Sequence, residues 1–165
     1  MSPSSLAILA ILARVILFPP PSAISARIYF SGVLQVTDSF ESVIRVRMSS
    51  HDAHYAGSLV DGALILKLFG DAVTELLIRH DGDEGLSRVL NSEFLAPVRA
   101  GDYLEIRARM VSVGKSSRTI ELTAHKIIEL VRPDDSAANV LDPPVLVAKG
   151  NDVAVVPVEK QRRAR

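Results

Sequence analysis

Ionisable side chains are concentrated in one stretch of the chain, where a polar loop runs into a long helical pattern. The stretch from Met48 to Arg79 reads MSSHDAHYAGSLVDGALILKLFGDAVTELLIR. His51 and His54 stand three residues apart in it, a spacing that could grip a metal ion. Because no third ligand motif lies nearby, we interpret both as loop histidines that form hydrogen bonds. Imidazoles and carboxylates are also the usual general acids and bases of enzymes, so this loop is where we expect any chemistry.

The second half of the same stretch has the longest uninterrupted helical pattern in the sequence. Its apolar side chains cover most of the helix circumference, so the predicted helix must be buried on most sides. The polar residues share one narrow arc: Lys67, Asp71, Thr74 and Glu75. On that arc we expect ion pairs between residues four apart. Ser58 or Asp61 could cap the first turn, because a short oxygen-bearing side chain accepts hydrogen bonds from the free N–H groups there. The segment HDGDEG, residues 80–85, then ends the helix.

Composition limits the possible functions. The 165 residues suit one domain with a single hydrophobic core. Lysine plus arginine and aspartate plus glutamate both number 19, so no net charge attracts nucleic acid or an anionic membrane, and neither is expected as a partner. The chain has no cysteine, which excludes disulfides, thiolate metal sites and a cysteine nucleophile.

The first 40 residues do not share the pattern of the rest. Leu6 to Phe18 is apolar, but Arg14 interrupts it and it is shorter than the roughly 20 residues of a membrane-spanning helix. A secretory signal is the alternative, although the start MSPSS lacks the positive charge of such signals. We predict an N-terminal extension over residues 1–40, either poorly ordered or spurious, a folded domain over residues 41–160 and a solvated basic tail over residues 161–165.

Alternation of apolar and polar residues predicts about five strands around the helix. The first precedes the polar loop and the others follow the helix: Val43–Met48, Leu86–Phe94, Tyr103–Val113, Arg118–Leu130 and Val145–Val158. A tight turn at residues 114–117 joins two of them as a hairpin. We expect the four strands after the helix to be consecutive antiparallel neighbours. The result is an α+β fold in which an antiparallel sheet of about five strands wraps around one long central helix.

Several motifs add a family resemblance to this arrangement. The segments HYAGSLVDGALILKLFGDA and EFLAPVRAGDYLEIRARMVSVGKSSRTIEL resemble the hotdog family of acyl-CoA enzymes. Within that family, VRMSSHDAHYAGSLVDGA, HDGDEG and EFLAPVRAGDY resemble the ammonia lyases that act on 3-aminobutyryl-CoA in lysine fermentation. The resemblance covers about Val43 to Lys160. It implies the hotdog fold and a cytoplasmic lyase that reversibly eliminates ammonia from 3-aminobutyryl-CoA to give crotonyl-CoA. It implies no cofactor, because coenzyme A enters as part of the substrate.

Two positions depart from the thioesterases of the same family. By a gapless alignment of the helix, Phe69 takes the place where one group of thioesterases has a catalytic acid. Asp61 and Gly62 stand where the family usually has two glycines at the helix start. A carboxylate is therefore missing at the hydrolytic position and another has appeared beside the helix start. This relocation fits elimination, which needs a base at C2 and an acid or ammonium-binding group at C3, rather than attack on C1.

If the resemblance holds, the chemistry of ammonia elimination assigns roles to five residues. Removal of the C2 proton places negative charge on the thioester oxygen, and backbone N–H groups at a helix start stabilise such charge, so Gly62 is the candidate donor. The substrate amine is cationic and calls for carboxylates nearby. We predict Asp61 and Glu93 as the proton-transferring pair, with His54 and Asp52 as orienting groups or substitutes. The alternatives are that Asp61 only caps the helix and that Glu93 is a solvated strand residue.

The predicted hairpin is the expected site for the phosphates of coenzyme A. Lys115, Ser116, Ser117 and Arg118 offer two cations and two hydroxyls there, and a solvated turn is the alternative. As partners we expect the acyl-CoA substrate and further copies of the chain, in a homodimer at minimum, and the resemblance also allows a hexamer.

Three functions stay open at this stage. They are the ammonia lyase, an acyl-CoA thioesterase on the same fold, and a noncatalytic acyl-CoA-binding or protein-binding module. Phe69 argues against the thioesterase, and the carboxylate cluster argues against the noncatalytic module.

Overall fold

Five antiparallel strands form one sheet that packs against a single long helix. The structure is a computed structural model and describes residues 40–131 and 136–162. Its elements are β1 (Glu41–Arg47), α1 (Gly62–Asp81), β2 (Leu86–Phe94), β3 (Tyr103–Val113), β4 (Ser117–Leu130) and β5 (Ala138–Val155), with 3-10 turns at Ala56–Ser58 and Val158–Lys160. Residues 1–39 of the predicted extension and 163–165 of the predicted tail lie outside the described residues. No helix in the described part of the chain is long and apolar enough to span a membrane.

The strand order differs from the predicted one. The sheet runs β1-β3-β4-β5-β2, so β2 pairs with β5 and not with β3, the next strand in sequence. The expectation of four consecutive neighbours after the helix is therefore wrong for β2. The reason is the connection at residues 95–102, which crosses the end of the sheet and is fixed on the way by hydrogen bonds to β5 and to the loop before the helix. The fifth strand also begins at Ala138, earlier than predicted.

Both ends of α1 follow the predicted capping. The side chain of Asp61 accepts a hydrogen bond from the N–H of Ala63 at the start of the helix. Gly82 ends it with φ +79°, a left-handed conformation that glycine adopts without steric cost, and its N–H donates to the carbonyl of Ile78 at 2.9 Å. On the polar arc, Lys67 Nζ lies 2.7 Å from Asp71 Oδ2, which confirms the predicted ion pairing.

The two faces of the sheet differ in polarity. The face toward α1 carries apolar side chains that are almost fully buried: Leu104, Ile106, Ala108, Met110, Ile120, Leu122 and Ala124. The outer face carries charged pairs, such as Arg45 with Glu105, where N and O are 2.6 Å apart. Alternation along β3 and β4 predicts this arrangement because successive strand residues point to opposite faces.

A buried ion pair fastens the C-terminal end of the helix to β4. Arg118 Nε lies 2.9 Å from Asp81 Oδ2, and Arg118 Nη2 lies 2.6 Å from Asp81 Oδ1. Nη1 of the guanidinium donates to the carbonyls of Gly114 and Ser117, both at 3.0 Å. Because every polar group of the pair is satisfied, the pair is tolerated at 1% and 0% side-chain exposure.

Candidate active site

The carboxylate of Asp61 lies at the start of α1 with two partners. Oδ1 accepts a hydrogen bond from the Ala63 N–H at 2.9 Å, and Oδ2 lies 3.6 Å from Nε2 of His54. The side chain of Asp61 is 34% exposed and that of His54 is 57% exposed, so both are open to a ligand. The structure thus brings together two of the four predicted catalytic residues. Capping does not consume the second oxygen of Asp61, which stays available for proton transfer.

Gly62 presents an unused backbone donor beside this carboxylate. Its N–H donates to no acceptor among the residues that the structure describes, in contrast to the N–H groups of Ala63 and Leu64, which both bind Asp61. A Cβ at position 62 would lie 3.2 Å from Cζ of Phe94. Glycine therefore allows the Phe94 ring to cover the first turn of the helix, and the position suits stabilisation of a developing oxyanion.

Two exposed aromatic side chains border the site, and sequence reasoning assigned neither of them a role. The ring of Tyr55 lies 4.5 Å from the ring of His54, centroid to centroid. Tyr55 and Phe94 are each 52% exposed, which is unusual for rings of this size. Their signal in the sequence is an aromatic residue next to a predicted catalytic one, at His54-Tyr55 and Glu93-Phe94. Together they offer apolar surface to an acyl chain at the helix start.

Asp52 is bound locally and not to the other site residues. Its Oδ2 accepts from the hydroxyl of Ser49 at 2.6 Å, and this hydrogen bond lowers the pKa of the Asp52 carboxyl below its ordinary value. Asp52 is therefore a weak base that shapes the turn 49–52. The predicted orienting role for Asp52 receives no contact with Asp61 or His54 in the structure.

Glu93 lies on the other face of the sheet from Asp61. Its neighbour Phe94 points to Gly62, and successive strand residues point to opposite faces. Glu93 Oε2 lies 3.2 Å from Nζ of Lys149, at 67% side-chain exposure, in a shallow groove on the outer face. A single chain therefore does not bring the predicted Asp61–Glu93 pair together.

The hairpin predicted to bind coenzyme A phosphates lies at the opposite end of α1. Arg118 is buried against Asp81, the last residue of the helix, so its guanidinium cannot serve a phosphate and that assignment is wrong. The physical reason is that Arg118 stands in phase with the core positions of β4, where only a paired charge is tolerated. Lys115 is exposed, and Ser116 and Ser117 are half-buried. Their binding role stays a prediction.

The turn at residues 95–102 holds the loop around the site. The carboxylate of Asp102 accepts from the backbone N–H of Arg99 at 2.9 Å and lies 3.1 Å from Nζ of Lys126. Gly101 has φ +91°, and a Cβ there would collide with the side chain of Leu130. Arg99 in turn donates to the carbonyl of Gly57. This network fixes the path of the polar loop into the helix.

Phe69 is fully buried in the core, at 0% exposure. The helix position that the sequence analysis compared with a hydrolytic acid therefore carries no ionisable group and faces no solvent.

Comparison with known proteins identifies proteins that are similar to this chain. A family model described as the thioesterase superfamily matches residues 58–129. A 3-aminobutyryl-CoA ammonia lyase of Acetoanaerobium sticklandii is 50% identical over 126 residues, which are 74% of this chain and 99% of that protein. The solved beta-alanyl-CoA:ammonia lyase from Clostridium propionicum is 35% identical, with a TM-score of 0.73 over 77% of this chain and 92% of that one. A hexameric thioesterase from Yersinia pestis is 16% identical, with a TM-score of 0.57 over 70% and 86%, and shares the fold alone.

Proposed function

We propose that this chain, a member of the thioesterase superfamily of hotdog-fold proteins, is an ammonia lyase. It reversibly eliminates ammonia from 3-aminobutyryl-CoA to give crotonyl-CoA. The observation that carries the proposal is the 50% identity to the Acetoanaerobium sticklandii ammonia lyase over 99% of that protein. An enzyme of this kind is a carbon–nitrogen lyase and uses the coenzyme A of its substrate rather than a separate cofactor.

The site at the helix start supports a defined course for the reaction. Asp61 takes the proton from C2 through its Oδ2, the electrons of the broken C–H bond form the C2–C3 double bond, and the C3–N bond breaks to release ammonia. Negative charge that develops on the thioester oxygen is stabilised by the Gly62 N–H, a preorganised donor at the positive end of the helix dipole. His54, 3.6 Å from Asp61, exchanges the proton with solvent or with the leaving amine.

The surroundings of Asp61 suit a short acyl chain that carries a cation. Tyr55 and Phe94 provide apolar walls, and each ring face also attracts an ammonium group. Because Oδ2 of Asp61 serves as the base, the negative charge that pairs with the amine before it leaves comes from Glu93 of a neighbouring chain. Deprotonation at C2 and departure at C3 are then served by groups on one side of the helix start.

The edge of the sheet supports assembly into at least a homodimer. β2 is an edge strand, and it carries four exposed apolar side chains, Leu86, Val89, Leu90 and Phe94, with exposed Leu95 directly after it. An exposed apolar strand edge is a pairing surface, and a second copy of the chain offers the matching one. Because Phe94 belongs both to this edge and to the site, we propose that each active site is built from two chains. Hexamers are consistent with the proposal.

A thioesterase is the second candidate because the superfamily includes hydrolases. The burial of Phe69 disfavours it, since no carboxylate stands at that helix position. A noncatalytic acyl-CoA-binding module is disfavoured by the open carboxylate of Asp61 beside an unused backbone donor. The resemblance further suggests a cytoplasmic enzyme of lysine fermentation, which we include in the proposal.

One assay separates the three functions. The purified protein is incubated with crotonyl-CoA, with and without ammonium, while the enoyl absorbance and the release of free thiol are both followed. An ammonia lyase consumes the enoyl group only when ammonium is present and releases no thiol. Thiol release without ammonium would replace the proposal by the thioesterase, and no change in either signal would leave a binding module.

A further inference from the structure

One arginine on the outer face of the sheet lacks the carboxylate partner that its neighbours have. Arg45 and Arg107 both bind Glu105, with N to O distances of 2.6 Å and 2.7 Å. Arg47, the next outer-face residue of β1, stands opposite Tyr103 in the register, where the pattern would place an acid. No carboxylate or carbonyl among the described residues binds its guanidinium. Five donors in a planar fork are therefore open to an anionic ligand.

A groove beside Arg47 has a lining of hydroxyl groups. Its volume is about 410 Å³, and Ser49, Ser50 and Ser58 lie along it with the backbone of residues 100–101. No carboxylate lines it. The hydroxyls of Ser50 and Ser58 have no hydrogen-bond partner within residues 40–131 and 136–162. The Ser49 hydroxyl instead donates to Asp52 Oδ2 at 2.6 Å. The free donors are therefore Arg47 and the hydroxyls of Ser50 and Ser58, and phosphate oxygens accept from such groups.

The loop holds one of these hydroxyls in a conformation that the chain would not adopt freely. Ser58 has φ +58°, which is uncommon for a residue with a side chain, and Gly57 before it has φ +70°. The Ala100 N–H donates to the Ser58 carbonyl at 2.9 Å, and Arg99 donates to the Gly57 carbonyl. Two external hydrogen bonds thus hold the backbone in place, and the Ser58 hydroxyl is positioned at the groove in advance of any ligand.

The groove lies at the same end of the molecule as the proposed active site. Ser58 precedes Asp61 by three residues, so their Cα atoms are at most about 11 Å apart. The hairpin of residues 114–117 is fixed by Arg118 to Asp81, at the far end of a 20-residue helix that is roughly 30 Å long. Of the two cationic regions, the groove is the one near the Asp61 of its own chain.

We propose that the Arg47 groove binds the phosphate groups of coenzyme A. This inference rests on the proposed function, since it assumes a CoA thioester at Asp61. Arg47 pairs with a phosphate through two parallel N–H bonds, and the Ser50 and Ser58 hydroxyls donate to the remaining oxygens. The pantetheine arm then extends from the groove to the helix start. Such contacts are equally good before and during the reaction, so they determine KM rather than kcat.

Binding of three probes tests the groove without reference to turnover. Calorimetry measures the Kd of CoA, of dephospho-CoA and of pantetheine, which lacks both the nucleotide and the diphosphate. Arg47→Ala is expected to weaken CoA binding roughly ten- to hundred-fold, the range for a charge-assisted hydrogen bond, and to leave pantetheine binding unchanged. Arg47→Lys should retain part of the affinity, because a lysine keeps the charge but loses the fork. A dephospho-CoA affinity that responds to Arg47→Ala would place the diphosphate at Arg47, and one that does not respond would place the 3′-phosphate there.

Two further variants make the result decisive. Arg162→Ala removes another exposed arginine without a side-chain partner in the described residues and should leave the Kd of CoA unchanged. Lys115→Ala tests the hairpin. An Arg47→Ala variant with wild-type CoA affinity and a normal melting temperature would overturn the inference, as would a loss confined to Lys115→Ala. If the wild-type protein bound no CoA, the proposed function itself would fail, and the two failures are thereby distinguished.

Discussion

The two carboxylate oxygens of Asp61 have different partners, the Ala63 N–H and His54. Oδ1 accepts the Ala63 N–H at 2.9 Å, and Oδ2 faces Nε2 of His54 at 3.6 Å. The capping bond needs only an acceptor, which an amide side chain also provides, whereas proton transfer needs the carboxylate. The two roles can therefore be separated by one substitution.

Asp61→Asn is expected to lower kcat for ammonia addition to crotonyl-CoA by roughly two orders of magnitude or more, the usual scale for loss of a general base. Its thermal stability should change little, because asparagine and aspartate cap helices almost equally well. Steady-state kinetics and a melting curve on the same sample measure both effects.

Asp71→Asn is the matched control for this substitution. It removes a carboxylate from the exposed arc of the same helix, where Asp71 pairs with Lys67 at 2.7 Å, and should leave kcat near the wild-type value. Near-normal kcat for Asp61→Asn would transfer the role of base to His54.

Arg118→Ala is expected to destabilise the fold rather than to weaken substrate binding. The substitution leaves Asp81 as an unpaired carboxylate at 0% exposure, and breaking a buried pair in this way costs about 3 to 5 kcal/mol. Urea unfolding should show the loss, while KM of the folded fraction stays unchanged. Lys115→Ala, on the exposed part of the same hairpin, should change the free energy of unfolding by no more than about 0.5 kcal/mol. Equal stability of the Arg118 variant and the wild type would contradict the assignment.

The local parts of the structure could be predicted from the sequence. The helix bounds, the Asp61 cap, the Lys67–Asp71 pair and the two faces of β3 and β4 all follow from contacts within a few residues or from strict alternation. Each depends on geometry that the neighbouring residues determine by themselves.

The errors concern contacts between distant parts of the chain. Alternation assigns a face to each strand residue but does not identify the neighbouring strand, so it does not predict the pairing of β2 with β5. For Arg118 the signal was present, since it stands two residues before Ile120 and in phase with it. The same parity rule separates Glu93 from Phe94. In both cases the position of the residue in the strand, and not the chemical character of its side chain, decides which face it points to.

Asp152→Asn should stabilise the protein at neutral pH. Burial raises the pKa of Asp152 above its ordinary value of 3.8, and the Ser87 hydroxyl, which donates to one carboxylate oxygen, offsets this only in part. The other oxygen has no partner in the described residues. The folded state therefore favours the protonated acid. The contribution of Asp152 to the free energy of unfolding is fully present below pH 3.8 and is lost as the pH rises through the higher folded pKa.

Melting temperatures of Asp152→Asn and wild type across a pH series test this sign. The variant should melt a few degrees higher at pH 7, and the difference should shrink as the pH falls toward 3.8. A variant that was less stable at pH 7 would show that the ionised carboxylate is bound by a group that favours its charge.

Mixing two inactive variants tests whether Glu93 completes the site of a neighbouring chain. Glu93 and Asp61 lie on opposite faces of one chain, so a catalytic pair between them requires the Glu93 of a partner. Asp61→Asn and Glu93→Gln should each be inactive alone. In an equal mixture with free subunit exchange, half of the dimers are mixed, and each mixed dimer regains one intact site, so roughly a quarter of the wild-type activity should return.

Full activity of Glu93→Gln alone would show that Glu93 is a solvated strand residue paired with Lys149. Failure of the mixture to recover activity, with subunit exchange verified by mass spectrometry, would contradict a site shared between two chains.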